Sequence, residues 1–238
     1  MNIIFSGYAH PFLGIISSIL IILGTEKIGN LLLLKFKNFF FLNFISGFIV
    51  ICFFFNLAIN IGITFLFLKI ISIILLLLGL SKILNFIKLI NTLNIKKNIN
   101  FENIILFIIF IISASAPTMA DALDYHLGVP LFLNNFGFLP DKNMWIHGNL
   151  AGYGELFNSI GIAINNDALG GICQSVGLIS FLYFIKGEIN NKKKFKIFFY
   201  FVIGSPILLF LFSGPKFQLL PQLITTYVLY LILTNNSF

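Results

Sequence analysis

The sequence predicts an all-α fold, a multi-pass transmembrane helical bundle of about seven spans with one external loop that contains short interfacial helices. Three observations point there. Apolar residues make up 58% of the chain and charged residues only 10%, against about 45–50% and about 25% in soluble domains. A water-soluble fold of this length would need far more polar surface. Apolar windows long enough to cross a bilayer recur along the chain, and lysines gather beside alternate windows. A β-barrel would need polar residues at every second position, which runs such as Leu75–Leu78 and Phe53–Phe55 do not provide.

Taken in order, the windows fall at 9–24, 40–58, 61–80, 103–116, 168–185, 197–213 and 219–234. Residues 1–116 thus carry four spans, 117–167 an external acidic loop with the candidate active site, and 168–238 three more spans. The chain stops close behind the last of them, at Asn235-Asn236-Ser237-Phe238, as a truncated product would. A membrane partner subunit would then complete it. Its start lacks a basic region and an A-x-A-like site, so no cleavable signal peptide is expected. Residues 83–100, with Ile83, Leu84, Phe86 and Ile87 among lysines, read as an interfacial helix. Lys69 falls inside the third window. Either it is a functional intramembrane charge, or the second helix runs on to Leu68 and turns there. Gly204-Ser205-Pro206 is the one evident break inside a span. Cys52 and Cys173 lie in apolar stretches and read as small core residues.

Lysine placement sets the expected threading. Lys27, Lys35 and Lys37 follow the first span; Lys82, Lys88, Lys96 and Lys97 the third; Lys186, Lys192, Lys193, Lys194 and Lys196 the fifth. With alternating spans all three clusters share one side, which the positive-inside rule makes cytoplasmic. The amino terminus is then outside, the carboxyl terminus inside, and the expected location is a bacterial inner membrane. The net charge of +7 is in this reading a topology signal, with no nucleic-acid partner.

The 117–167 segment holds five of the eight acids, Asp121, Asp124, Asp141, Glu155 and Asp167, against the single lysine Lys142. A helix over 119–127 would place Asp121, Asp124 and Tyr125 on one face. Two carboxylates so placed repel, which raises one pKa unless a cation lies between them. Either outcome is chemically useful, as a general base or as a site for a divalent cation such as Mg or Mn on Asp121 and Asp124. The alternative is a solvated acidic face. Further along, His147-Gly148-Asn149-Leu150-Ala151-Gly152-Tyr153-Gly154-Glu155 suggests close backbone approach to a ligand or a flexible loop. Glu155 would supply a further carboxylate or cap a helix. Asp121, Asp124 and Glu155 are the catalytic candidates; Tyr125, His126, His147, Tyr153 and Lys142 are the candidate substrate contacts. No zinc spacing, P-loop, Gly-x-Gly-x-x-Gly or nucleophile elbow is present.

The stretch Asp121-Ala122-Leu123-Asp124-Tyr125 resembles the external acidic motif of polytopic glycosyltransferases of the GT-C class, the superfamily of the protein mannosyltransferases and the aminoarabinose transferase of lipid A. It is similar more closely to a bacterial membrane subgroup with Asp-x-Leu-x-Tyr-His-Leu and a following proline, matched by Asp121, Leu123, Tyr125, His126, Leu127 and Pro130. The resemblance implies transfer of a sugar from a polyprenyl-phosphate donor to an external acceptor, with Asp121 as the catalytic carboxylate. Where those enzymes often have a second acid next to the first, this chain has Ala122, so Asp124 or Glu155 would stand in. The competing reading is a non-enzymatic module, a transporter half or an assembly subunit.

Overall fold

The computed structural model describes residues 11–32, 40–90, 100–115, 122–141, 143, 145, 152–189, 191–212, 214–215 and 217–234. Among them the protein is an all-α bundle. Its elements are α1 (Pro11–Leu32), α2 (Phe40–Ile61), α3 (Thr64–Ile90), α4 (Phe101–Ser113), a π-helical segment (Ala122–Leu127), α5 (Gly128–Phe136), α6 (Tyr153–Ala163), α7 (Leu169–Glu188), α8 (Lys192–Ile203), α9 (Pro206–Phe212) and α10 (Leu219–Thr234). Four helices, Pro11–Leu32, Phe40–Ile61, Thr64–Leu84 and Leu169–Glu188, are long and apolar enough to cross a membrane. Their outward faces carry large apolar side chains such as Phe53, Phe54, Phe65, Leu66, Ile73 and Leu77. No aqueous fold leaves such a surface bare, whereas lipid is its natural solvent.

The first three helices form a tight unit through small residues. A Cβ on Gly24 would collide with the carbonyl of Leu75, and one on Gly79 with that of Leu20, so α1 and α3 meet backbone to backbone. Gly29 and Gly47 do the same for α1 and α2. Between lipid-bathed helices, packing and polar contacts replace the hydrophobic drive, and small residues permit the approach. Beside this contact Glu26, buried, forms an ion pair with Lys82. It also accepts from Asn43 Nδ2 at 3.1 Å, while Lys27 donates to Ser81 at 2.7 Å.

The contacts give the bundle two distinct ends. Asn166, just before α7, donates to Gly14 O, Ser17 Oγ and Ser18 Oγ near the start of α1. At the opposite end the start of α2 packs beside the last turns of α7, around Phe40, Phe41, Tyr183 and Phe184. Lys27, Lys82, Lys186 and Lys196 lie at this second end, with Glu26 and Glu102. Asp124, Glu155 and Asp167 lie toward the first.

Several boundaries move. Gly62, at φ 81°, ends the second helix well before Leu68. The next helix starts at Thr64, whose hydroxyl donates to Gly137 O at 2.6 Å. Lys69 is therefore an exposed residue on the second turn of α3. It can extend its ammonium toward the headgroups and is not a mid-span charge. Residues 83–90 continue α3, and 91–99 lie outside the described residues. The 197–213 window divides at Gly204-Ser205, because Pro206 has no N–H to continue α8 and instead opens α9. The 117–167 segment does contain short helices, but α6 is no surface element. Leu156, Phe157 and Ile160 are buried, and Gly154 and Gly161 lie against Phe217 and Leu169. Cys52 and Cys173 are free and buried.

Candidate functional site

His126 and Glu155, both from the 117–167 segment, meet in the interior. His126 Nδ1 lies 2.6 Å from Glu155 Oε1, and both side chains are almost fully buried. The local sequence dictates how each arrives. In a continuing α-helix the carbonyl of His126 would accept from the N–H four residues on, but that residue is Pro130, which has none. The backbone widens into a π-helical stretch over Ala122–Leu127. The His126 carbonyl is met instead by Asn158 Nδ2 at 3.1 Å, and the same amide donates to Pro215 O at 3.2 Å. Gly128 leaves room for the Trp145 ring, which a Cβ there would approach to 2.6 Å.

Glu155 stands at the third position of α6 and closes a capping box, its Oε2 accepting from Gly152 N at 2.7 Å. Its two oxygens thus do separate work: one caps the helix, the other takes His126. The two readings open in the sequence, helix cap and site carboxylate, describe one residue. A carboxylate accepting from Nδ1–H fixes the imidazole tautomer with its lone pair on Nε2. This is the orientation a His base needs.

The pair lines a cavity of about 360 Å³. Its walls are Phe48 and Ile49 of α2, Tyr125 and His126 of the π-helical segment, Gly152 to Glu155 at the start of α6, and Phe217, Leu220, Pro221 and Ile224 at α10. Most of that lining is apolar; Tyr125, His126, Tyr153 and Glu155 bring polar groups from the π-helical segment and α6, and Gln218 adds one just before α10. Gln174 of α7, fully buried, fastens the backbone behind Phe217. Its amide donates to Leu211 O at 2.7 Å and Gly214 O at 2.8 Å and accepts from Leu219 N at 3.0 Å. That holds the turn presenting Phe217, which stacks on Phe48.

The other candidates divide. Tyr125 is half-buried, with its ring centroid 3.9 Å from that of His126. Burial and then the Glu155 carboxylate push its phenol up, so it stays protonated at neutral pH. Tyr153 lies at the mouth, more exposed, and its carbonyl accepts from Cys52 Sγ at 3.3 Å. Asp124 is exposed, on the side of the π-helical segment away from buried His126 and Leu127. The expected shared face of Asp121, Asp124 and Tyr125 rests in part on Asp121, while Asp124 and Tyr125 stand on the π-helical segment. Asp121, Lys142 and His147 lie outside the described residues, so the expected Asp121–Asp124 cation site does too. Among the described residues no group of three or more His, Cys, Asp or Glu could hold a metal ion.

Asn158, Gln174 and Phe217 went unsingled in the sequence. Asn158 and Gln174 carried a usable signal, since each is an amide inside an otherwise apolar stretch, where a buried polar group has to find partners.

A family model described as the DUF1420 N-terminal domain matches residues 89–237, a range that holds every wall of the cavity except Phe48 and Ile49. No curated protein matches the chain, and no solved structure does.

Proposed function

The chain belongs to the DUF1420 N-terminal domain family; from the His126–Glu155 cavity and the resemblance carried by Asp121, Tyr125 and His126 we propose a membrane transferase that takes a sugar from a polyprenyl-phosphate donor. The observation that carries this reading is the buried imidazole–carboxylate contact of 2.6 Å in the wall of a mostly apolar cavity. Such a cavity suits an amphiphile, with its chain against Phe48, Leu220 and Ile224 and its head toward Tyr125 and His126. In the proposed step an acceptor hydroxyl gives its proton to His126 Nε2 while its oxygen bonds the sugar's anomeric carbon. The anomeric carbon–phosphate oxygen bond breaks, and polyprenyl phosphate leaves with that electron pair. Glu155 steadies the imidazolium. Asp121 keeps the role implied by the resemblance, beside the dyad in sequence. By the positive-inside rule the lysine end faces the cytoplasm and the cavity the opposite side.

General-base assistance is worth about 10²–10⁴ in rate. With a radiolabelled polyprenyl-phosphate hexose, His126→Gln and Asp121→Asn should each lower sugar transfer by about a hundredfold or more in protein that stays in the membrane. A photoreactive polyprenyl phosphate should still label Phe48 or Ile224 in both variants. Unchanged transfer in both would end the proposal, as would labelling spread evenly over the lipid-facing surface.

One observation favours a non-enzymatic module: the same contact fastens the π-helical segment to α6, a task that needs no substrate. In that case His126→Gln lowers the unfolding midpoint and moves no sugar-dependent signal. The transporter version loses its charge candidate, since Lys69 lies near the start of α3.

A further inference from the structure

We propose that the lysine end of the bundle carries a binding site for one anionic glycerophospholipid, with the phosphate among Lys186, Lys192 and Lys196 and an acyl chain along α7. Two adjoining hollows make the case. A cavity of about 490 Å³ opens between α4, α7 and α8, lined by these three lysines with Asn100, Glu102 and Phe195. Glu102 pairs with Lys196, N to O 3.4 Å, so the lining keeps an excess of positive charge. Lys186 is steered toward the cavity by two rings, its ammonium 5.6 Å from the centre of Tyr183 and 5.8 Å from that of Phe195.

The second hollow is an apolar groove of about 370 Å³ between α2 and α7, lined by Phe40, Phe41, Val176, Ile179, Tyr183 and Phe184. A small pocket shares Tyr183 with this groove and Glu102, Lys186 and Phe195 with the charged cavity, so the two hollows neighbour each other across α7. Val176, Ile179, Tyr183 and Lys186 follow one another at helical spacing, so the stripe runs along one face of α7. From Val176 to Lys186 the helix rises about 15 Å, half of a hydrocarbon core of about 30 Å. An apolar stripe one leaflet deep that ends in lysines matches a lipid in that leaflet, charge down and chain up. A soluble phosphate would use the cavity and leave the groove without a purpose. Basic pockets between helices on the cytoplasmic side are the usual place for such headgroups.

The test uses the full chain in phosphatidylcholine nanodiscs, with spin-labelled phosphatidylglycerol and spin-labelled phosphatidylcholine compared for the immobilised lipid fraction. The wild type should prefer phosphatidylglycerol by about tenfold or more, since each lysine near a membrane surface contributes about fivefold. Lys186→Gln with Lys192→Gln should remove most of that preference, and Lys186→Arg with Lys192→Arg should keep it. Lys193→Gln with Lys194→Gln removes equal charge from exposed positions outside the lining and should leave the preference intact. Equal loss in that control would reduce the effect to a basic membrane face and overturn the site. Absence of any preference would do the same. Release of the immobilised label by millimolar inorganic phosphate would assign the cavity to the free ion and overturn the lipid.

Discussion

Replacing Gly29 or Gly47 with alanine should cost far more than a methyl group ordinarily does, and the two costs should not add. A Cβ on Gly29 would lie 2.7 Å from the carbonyl carbon of Asn43 and from Gly47 N; one on Gly47 would lie 3.1 Å from Gly29 N. Comfortable carbon contacts are about 3.5–4.0 Å, and the carbonyl oxygens of Asn43 and Thr25 stand nearer still to the added methyls, so α1 and α2 must part by more than about 1 Å. That alone is overpacking, worth about 1–3 kcal/mol. The same movement stretches the bond from Asn43 Nδ2 to Glu26 Oε1, now 3.1 Å, beyond hydrogen-bond reach. A bond to a charged group contributes about 1.5–3 kcal/mol, so each single change should destabilise by about 3–5 kcal/mol. One separation relieves both clashes, so the double variant should cost little more than the worse single, a coupling that approaches the smaller single cost, about 3 kcal/mol. Unfolding of the purified protein in mixed detergent micelles, followed by circular dichroism, measures all four corners of the cycle. Strict additivity, or single changes under about 1 kcal/mol, would refute the close approach of these helices.

Two further expectations concern the opposite end. Burial pushes the Asp167 carboxyl above its ordinary value, partly offset by a backbone hydrogen bond. A raised folded-state value favours the protonated form, so its contribution is full below the ordinary aspartate range and is lost as pH rises through the raised value. Asp167→Asn should flatten that part of the stability-against-pH curve; an unchanged slope would count against the buried placement. Asn166→Leu removes four bonds: those donated to Gly14 O, Ser17 Oγ and Ser18 Oγ, at 2.9, 2.9 and 2.8 Å, and the one accepted from Ala168 N at 3.0 Å. It should cost about 1–3 kcal/mol and raise hydrogen exchange near the start of α1, whereas a local role would leave that exchange unmoved.

Much of the architecture was legible because apolar length and lysine position are read directly from composition along the chain. The lysines expected on one side do meet acids there, as Glu26–Lys82 and Glu102–Lys196 show. Fine boundaries were less legible. Gly62 closes α2 where two apolar windows meet and Pro206 divides a third at the break that Gly204-Ser205-Pro206 marks, but hydropathy alone does not register the backbone geometry at either residue. At the site, Glu155 and His126 were named separately, but their meeting was not, because 29 residues part them and the link depends on Pro130 forcing a wider turn. Asn158 and Gln174 signal only that buried amides need partners; which partners they meet was not legible, for a related reason. Each answers carbonyls left over by irregular backbone, and those carbonyls exist only once the helices have broken where they do.

Because α6 has only 11 residues, it is too short to cross a bilayer alone and must be enclosed by neighbours that arrive before and after it. Its last enclosing wall is the turn held by Gln174 together with α10, translated at the far end of the chain. The cavity therefore closes late in assembly. A ribosome pausing before Phe217 would hold a protein whose dyad still stands open to lipid.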